Sequence, residues 1–179
     1  HGFFILLENQ YTIGDWIKVG NIEGTVERLT LRVTVLRDTE GTLHFIPNGA
    51  VTSVSNMTHD WSQVKMEIGV GYDQNIDQVS QVILDAATEL CKGPNWKDKI
   101  LSDPVVPGVQ SFGDSAINIR LVVKTQPGVQ WGLARALRKC IKERFDEEGI
   151  SIPFPQRVVH HVHSAGSETS QENAPQRGG

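Results

Sequence analysis

The chain has 179 residues, enough for one sizeable core or two small ones. Hydrophobic residues make up 39% and charged residues 21%, an ordinary globular balance, and the net charge of −4 argues against broad nucleic-acid binding. Cys91 and Cys140 give neither a disulfide framework nor a CxxC pair, so both are read as small apolar residues of helices, with no sign of an oxidising compartment.

Residues 1–10 open with the longest apolar run, Phe3-Phe4-Ile5-Leu6-Leu7, far short of the ~20 residues a membrane helix needs. No secretory leader is read there, and the chain starts at His1 rather than Met. The run reads as the last turns of a helix, with a frayed apolar terminus as the alternative; five bulky apolar residues need a partner.

Residues 11–63 are strand-like, punctuated by Gly14, Gly20, Gly24, Gly41 and Gly49. Trp16–Val19 is one strand. Gly24–Arg28 begins the next, and the run 29–37 continues it, with Leu29, Leu31, Val33 and Val35 alternating with Thr30, Arg32, Thr34 and Leu36. Thr42–Ile46 follows the Glu40-Gly41 turn, Pro47-Asn48-Gly49 is a second turn, and Val51–Val54 is a last strand. Five short strands predict a small, strongly bent sheet or partial barrel.

Residues 64–156 change character. Val64–Gly71 reads as a strand, and Asp73 as the cap of a helix carrying Ile76, Val79, Ile83, Ala87 and Leu90, which ends at Gly93-Pro94. A strand near Val109–Phe112 turns at Gly113-Asp114-Ser115 into the clearest strand, in which Ile117, Ile119, Leu121 and Val123 share a face. Pro127-Gly128 opens a second helix with Leu133, Ala134, Leu137, Ile141 and Phe145 on its apolar stripe; Gly149 ends it, and Ile150–Ile152 is a short final strand stopped by Pro153 and Pro155. The order strand-helix-strand-strand-helix-strand is the ferredoxin-like split βαβ order. Residues 157–179, weakly strand-like to His163 and then rich in Ser, Glu, Gln, Gly and Pro, are expected to be mostly disordered.

Chemistry-bearing constellations are scarce. His160, His161 and His163 offer at most two converging ligands and read as an exposed polar strand end, or as a ring of histidines if several copies meet on an axis. Gly69-Val70-Gly71-Tyr72-Asp73 lacks the third glycine and the parallel setting of a dinucleotide fingerprint. Asp146, Glu147 and Glu148 close a helix on its solvated end, where Lys142–Asp146 and Arg144–Glu148 have pairing distance. No GxSxG, HExxH or P-loop occurs, so neither an enzyme nor a cofactor is expected. Arg135, Arg138, Lys139 and Lys142, at i, i+3, i+4 and i+7, form a basic stripe. It is either a solvated face or an anion-attracting or subunit-facing surface whose field would multiply in a ring.

Several segments together resemble the MscS-like family of small-conductance mechanosensitive channels. Gly2–Glu8 with Tyr11 and Ile13-Gly14-Asp15 resembles the end of the pore-lining helix and its junction. Gly24–Glu27, Leu31–Arg37, Gly41-Thr42 and Ile46–Gly49 are similar to the middle β domain, Gly69–Asp73 to the next strand-to-helix junction, and Phe145–Gln156 to the end of the α/β domain. The resemblance implies an Sm-like β domain, a ferredoxin-like α+β domain, and no transmembrane helices in this chain. It also implies a homo-oligomeric ring, typically of seven, with β-domain edge strands pairing between chains. That ring encloses a vestibule on the cytoplasmic side of the membrane, with side openings through which ions and small solutes pass under tension. Phe3, Phe4 and Leu7 would bury against neighbouring helices or lipid. An Sm-like ring binding RNA or another ligand is the alternative, but residues 11–63 carry four basic and six acidic side chains.

Overall fold

The computed structural model describes residues 10–157. The pore-helix expectation for Phe3, Phe4 and Leu7 and the tail histidines His160, His161 and His163 lie outside the described residues.

The first sheet holds β1 (Trp16–Val19), β2 (Ile22–Leu29), β3 (Val33–Arg37), β4 (Leu43–Pro47) and β5 (Ser55–Asn56). All neighbours are antiparallel, in the order β4-β3-β2-β1-β5. Gly20, at φ 60°, supplies the left-handed position of the two-residue β1–β2 turn. Gly24 answers a close approach: a Cβ there would stand 2.4 Å from the Arg37 carbonyl oxygen. A bulge between Val26 and Arg28 bends β2. The core is small: Tyr11, Ile17, Val26, Leu36 and Ile46, with Val19, Ile22, Leu29, Val51 and Val54 packed against it.

The run 24–37 is not one continuous strand. Thr30 breaks it: its hydroxyl accepts from the Val33 and Arg32 N–H groups and donates to the Val33 carbonyl, making a tight turn without Gly or Pro. The alternation therefore resets, leaving Leu31 at 64% exposure while Thr34, Val35 and Leu36 are all buried. Val51 and Val54 pack on the core from irregular backbone after a 3-10 turn at Asn48–Ala50, and the last strand is Ser55–Asn56 instead. A buried polar chain closes the lobe. Tyr11 Oη donates to Thr34 Oγ1 (2.9 Å), Thr34 Oγ1 to Asn48 Oδ1 (2.8 Å) and Asn48 Nδ2 to the Thr30 carbonyl (2.7 Å).

The second lobe holds β6 (Ser62–Val70), α1 (Ile76–Lys92), β7 (Val105–Phe112), β8 (Ile117–Thr125) and α2 (Gln130–Glu148). Its sheet is antiparallel in the order β6-β8-β7. Ile117, Ile119, Leu121 and Val123 of β8 and Val64, Met66, Ile68 and Val70 of β6 turn one face toward both helices. Asn75, not Asp73, caps α1; its Oδ1 accepts from the Asp77 and Gln78 N–H groups, because the helix starts at Ile76, two residues later than a cap at Asp73 would require. Gly149 ends α2 at φ 68°. Ile150 enters the core, but Ile150–Ile152 forms no strand: the Ile150 N–H bonds back to Phe145, and Pro153 and Pro155 have no N–H to give to β6. The α+β class and the strand order of a ferredoxin-like lobe hold without that fourth strand.

Candidate interface surfaces

The lobes meet through aromatic and polar contacts at one corner. Trp16 of β1 packs edge to face on Trp131 of α2, with Gln130 Nε2 donating to the Met57 carbonyl (3.5 Å) and Ser62 Oγ donating to the same oxygen (2.7 Å). Asp15 gathers the chain just before β1. Its carboxylate accepts from the Thr12 N–H, Asn56 Nδ2 and the Thr58 hydroxyl, and Asn56 Nδ2 also reaches the Gln10 carbonyl. Burial pushes the Asp15 carboxyl up, but these hydrogen bonds outweigh it and hold the group below its ordinary value.

Among the described residues, the first sheet has two unlike open edges, β4 and β5. The β3–β4 pair is bracketed by bonds from Asp38 N–H to the Thr42 carbonyl (3.1 Å) and from Asn48 N–H to the Arg32 carbonyl (2.8 Å). With antiparallel alternation, positions 42, 44, 46 and 48 bond inward. Leu43, Phe45 and Pro47 therefore direct their main-chain groups outward, Pro47 a carbonyl only. Phe45 is 61% exposed and Leu43 37%, so this edge is apolar as well as unpaired.

Charges lock the hairpin behind that edge. Arg37 grips the Glu27 carboxylate through Nε and Nη2 and donates to the Gly41 carbonyl. The Arg37 bond lowers the Glu27 pKa. Asp38 accepts from His44 Nε2 (2.8 Å) and from the Thr42 and Glu40 N–H groups, and the His44 bond leads the causes that lower its pKa. The exposed Leu43 and Phe45 were not singled out from sequence; their signal was the alternation of Leu43-His44-Phe45-Ile46 between two turns.

The basic stripe is real and exposed: Arg135, Arg138, Lys139 and Lys142 all face solvent on α2. Lys139 reaches Glu143 (3.7 Å) and Lys142 reaches Asp146, while Arg135 and Arg138 have no ion-pair partner among the described residues. Arg144 pairs with Glu89 of α1 (2.5 Å) and Glu147 (3.6 Å) rather than with Glu148. A shallow cleft of about 400 Å³ lies there between the helices, lined by Glu89, Trp96, Cys140, Glu143, Arg144 and Glu147 among others. Burial pushes the Cys91 thiol up to about 11 and raises that of Cys140, so neither is an activated nucleophile. Gly71 sits in a turn where a Cβ would meet Asp73 Oδ1 at 2.4 Å, and the segment from Gly69 to Asp73 is a strand end leading into a capped helix. No group of three His, Cys, Asp or Glu side chains gathers for a metal among the described residues. Nor is any helix among them long and apolar enough to cross a membrane.

Comparison with known proteins supplies the family. Residues 1–59 match the family described as mechanosensitive ion channel, beta-domain, and residues 64–152 match mechanosensitive ion channel MscS, C-terminal. The small-conductance mechanosensitive channel of Caldanaerobacter subterraneus subsp. tengcongensis is 35% identical over 158 residues, covering 88% of this chain and 55% of that protein. The moderate conductance mechanosensitive channel YbiO of Escherichia coli is 30% identical over 174 residues, covering 97% of this chain and 23% of that protein. The closed-state crystal structure of Helicobacter pylori MscS superposes with a TM-score of 0.74 at 25% identity, covering 91% of this chain and 64% of that one. The chain thus spans about half, or less, of the length of these curated relatives.

Proposed function

The chain belongs to the MscS family of mechanosensitive ion channels, a family of channels and not of enzymes, and from that premise we propose that it forms the wall of a channel vestibule. In this reading the two lobes belong to one subunit of a homo-oligomeric ring, a heptamer, held to the membrane by the transmembrane helices of the complete subunit. The ring stands on the cytoplasmic side and passes ions and small solutes that the tension-opened pore admits.

The observation that carries the reading is the pair of unlike edges that the first sheet leaves open among the described residues, β4 with its exposed Leu43 and Phe45, and β5. Two different edges on one sheet favour a head-to-tail contact, and a head-to-tail contact that closes makes a ring. Pairing β4 of one chain with β5 of the next satisfies the outward main-chain groups and covers Phe45 in one step.

The test is Phe45→Asp in the complete channel subunit, expressed in cells lacking their own mechanosensitive channels. Because Phe45 is mostly exposed in the single chain, its circular dichroism spectrum stays unchanged. Survival of hypo-osmotic shock falls to the level of cells without the channel. Full survival with Phe45→Asp contradicts the proposal.

A further inference from the structure

Among the described residues β6 is an edge strand of the second sheet. A ferredoxin-like lobe carries its fourth strand beside this one and antiparallel to it, and Ile150–Ile152 does not take that place. The phase of the ladder says what the edge offers. Thr125 of β8 faces Ser62 of β6 on one side and Ile100 on the other. On that second side the Leu101 N–H donates to the Lys124 carbonyl (2.9 Å). Main-chain groups alternate sides along a strand, so Val123, Leu121, Ile119 and Ile117 turn theirs toward β6. Their partners Val64, Met66, Ile68 and Val70 bond inward. Gln63, Lys65, Glu67 and Gly69 are therefore the residues whose N–H and C=O groups point away from the sheet.

Side chains complete this edge. Between β6 and the α2 helix above it runs a groove of about 240 Å³, lined by Met66, Ile68, Ile141 and Ile152 together with Arg138 and Lys142. Arg138 is exposed and has no ion-pair partner among the described residues, while Lys142 reaches Asp146. On the opposite face of β6, Lys65 is exposed and also lacks an ion-pair partner among the described residues. Glu67, two positions on, is taken by Arg120 (2.6 Å). The uncompensated charge on both faces of the edge is thus positive. Residues 157–163 of this chain carry an arginine, three histidines and no acid, so charge favours a foreign occupant.

We propose that the β6 edge takes an extended acidic segment of a partner protein as a fourth strand, antiparallel to β6. The segment's main chain bonds to Gln63, Lys65, Glu67 and Gly69. Its residues opposite Ile68 and Met66 share their face, so an apolar side chain enters the groove and a glutamate meets Arg138. A carboxylate opposite Lys65 pairs with it on the other face. Main-chain bonds supply the affinity, and the groove with its two free cations selects the sequence. The inference goes beyond the ring reading and does not depend on it, since β4 and β5 belong to the other sheet.

Fluorescence anisotropy of a labelled synthetic peptide, Thr-Val-Thr-Glu-Asp-Val-Thr, titrated with the full 179-residue chain, tests it. Set antiparallel, its residues lie in turn opposite Gly69 through Gln63, and saturable binding is expected. N-methylation of its third and fifth residues, whose N–H groups face β6, weakens binding by at least about tenfold. N-methylation of the second and sixth, which face away, leaves it unchanged. Arg138→Glu, Lys65→Glu, or lysine in place of both peptide acids each weakens binding by at least about tenfold. Both protein residues are exposed, so the variants keep the wild-type circular dichroism spectrum. No saturation with the wild type, or equal loss from the two methylation patterns, overturns the proposal. So does binding that appears only once residues 158–179 are removed, which assigns the edge to the chain's own segment. Self-association that the peptide reverses assigns the edge to a second copy and overturns it as well.

Discussion

Trp16 and Trp131 pack edge to face with ring centroids 5.4 Å apart and planes inclined by 62°. One indole belongs to the first strand of the β lobe and the other to the first turn of α2. Their contact, with Gln130 and Ser62 both bonded to the Met57 carbonyl, joins two otherwise separate cores.

Replacing either indole by alanine is expected to uncouple the lobes. A double-mutant cycle on Trp16→Ala and Trp131→Ala gives a coupling of about 0.5–1.5 kcal/mol, the usual value for an aromatic pair. Calorimetry of the double variant resolves two transitions where the wild type gives one. Strict additivity contradicts the coupling.

The chain from Tyr11 through Thr34 to Asn48 sets a second expectation. Asn48→Ala leaves the buried Thr34 hydroxyl and the Thr30 carbonyl without their partner and costs about 2–4 kcal/mol in urea unfolding. Tyr11→Phe removes one terminal bond and costs about 1 kcal/mol. Equal losses would show that the chain does not act as a connected network.

Acid weakens the β lobe with a defined sign. Asp15, Glu27 and Asp38 all have pKa values below their ordinary 3.8, 4.5 and 3.8 in the folded state. Their contribution is fully present above those values and is lost as pH falls through the depressed folded ones. Thermal unfolding should hold steady down to about pH 5 and then decline, beginning near the Glu27 value. Asp15→Asn flattens part of that decline; an unchanged slope would mean that Asp15 takes no share in it.

Gly24 admits no side chain. With a Cβ 2.4 Å from the Arg37 carbonyl oxygen, Gly24→Ala must spread β2 from β3 and costs about 1–3 kcal/mol by denaturant titration. A neutral Gly24→Ala would show that the strands can part freely.

What could be read from sequence followed from how local each determinant is. The alternation of Ile117, Ile119, Leu121 and Val123 placed β8, and the spacing of Leu133, Leu137, Ile141 and Phe145 placed α2, because one buried face writes its period directly into the chain. The Thr30 turn has little signature in the sequence because a threonine hydroxyl, not Gly or Pro, makes it, and the apolar run continues across it. Asp73 has the side chain of a cap but so does Asn75, and only the helix start at Ile76 decides between them. The basic stripe was legible from its spacing. Its outward direction was not, because that depends on which residues of α2 meet α1 and β6. Leu43 and Phe45 looked like an ordinary strand; that the strand lies at an edge is a property of sheet order, set by pairings distant in sequence.

Native mass spectrometry of this chain and of the complete channel subunit tests the central claim most directly. The ring account predicts a particle of about seven times the 19.8 kDa chain mass, or seven complete subunits, with Phe45→Asp shifting it to the single chain. A monomer or a two-fold dimer in both preparations would contradict it.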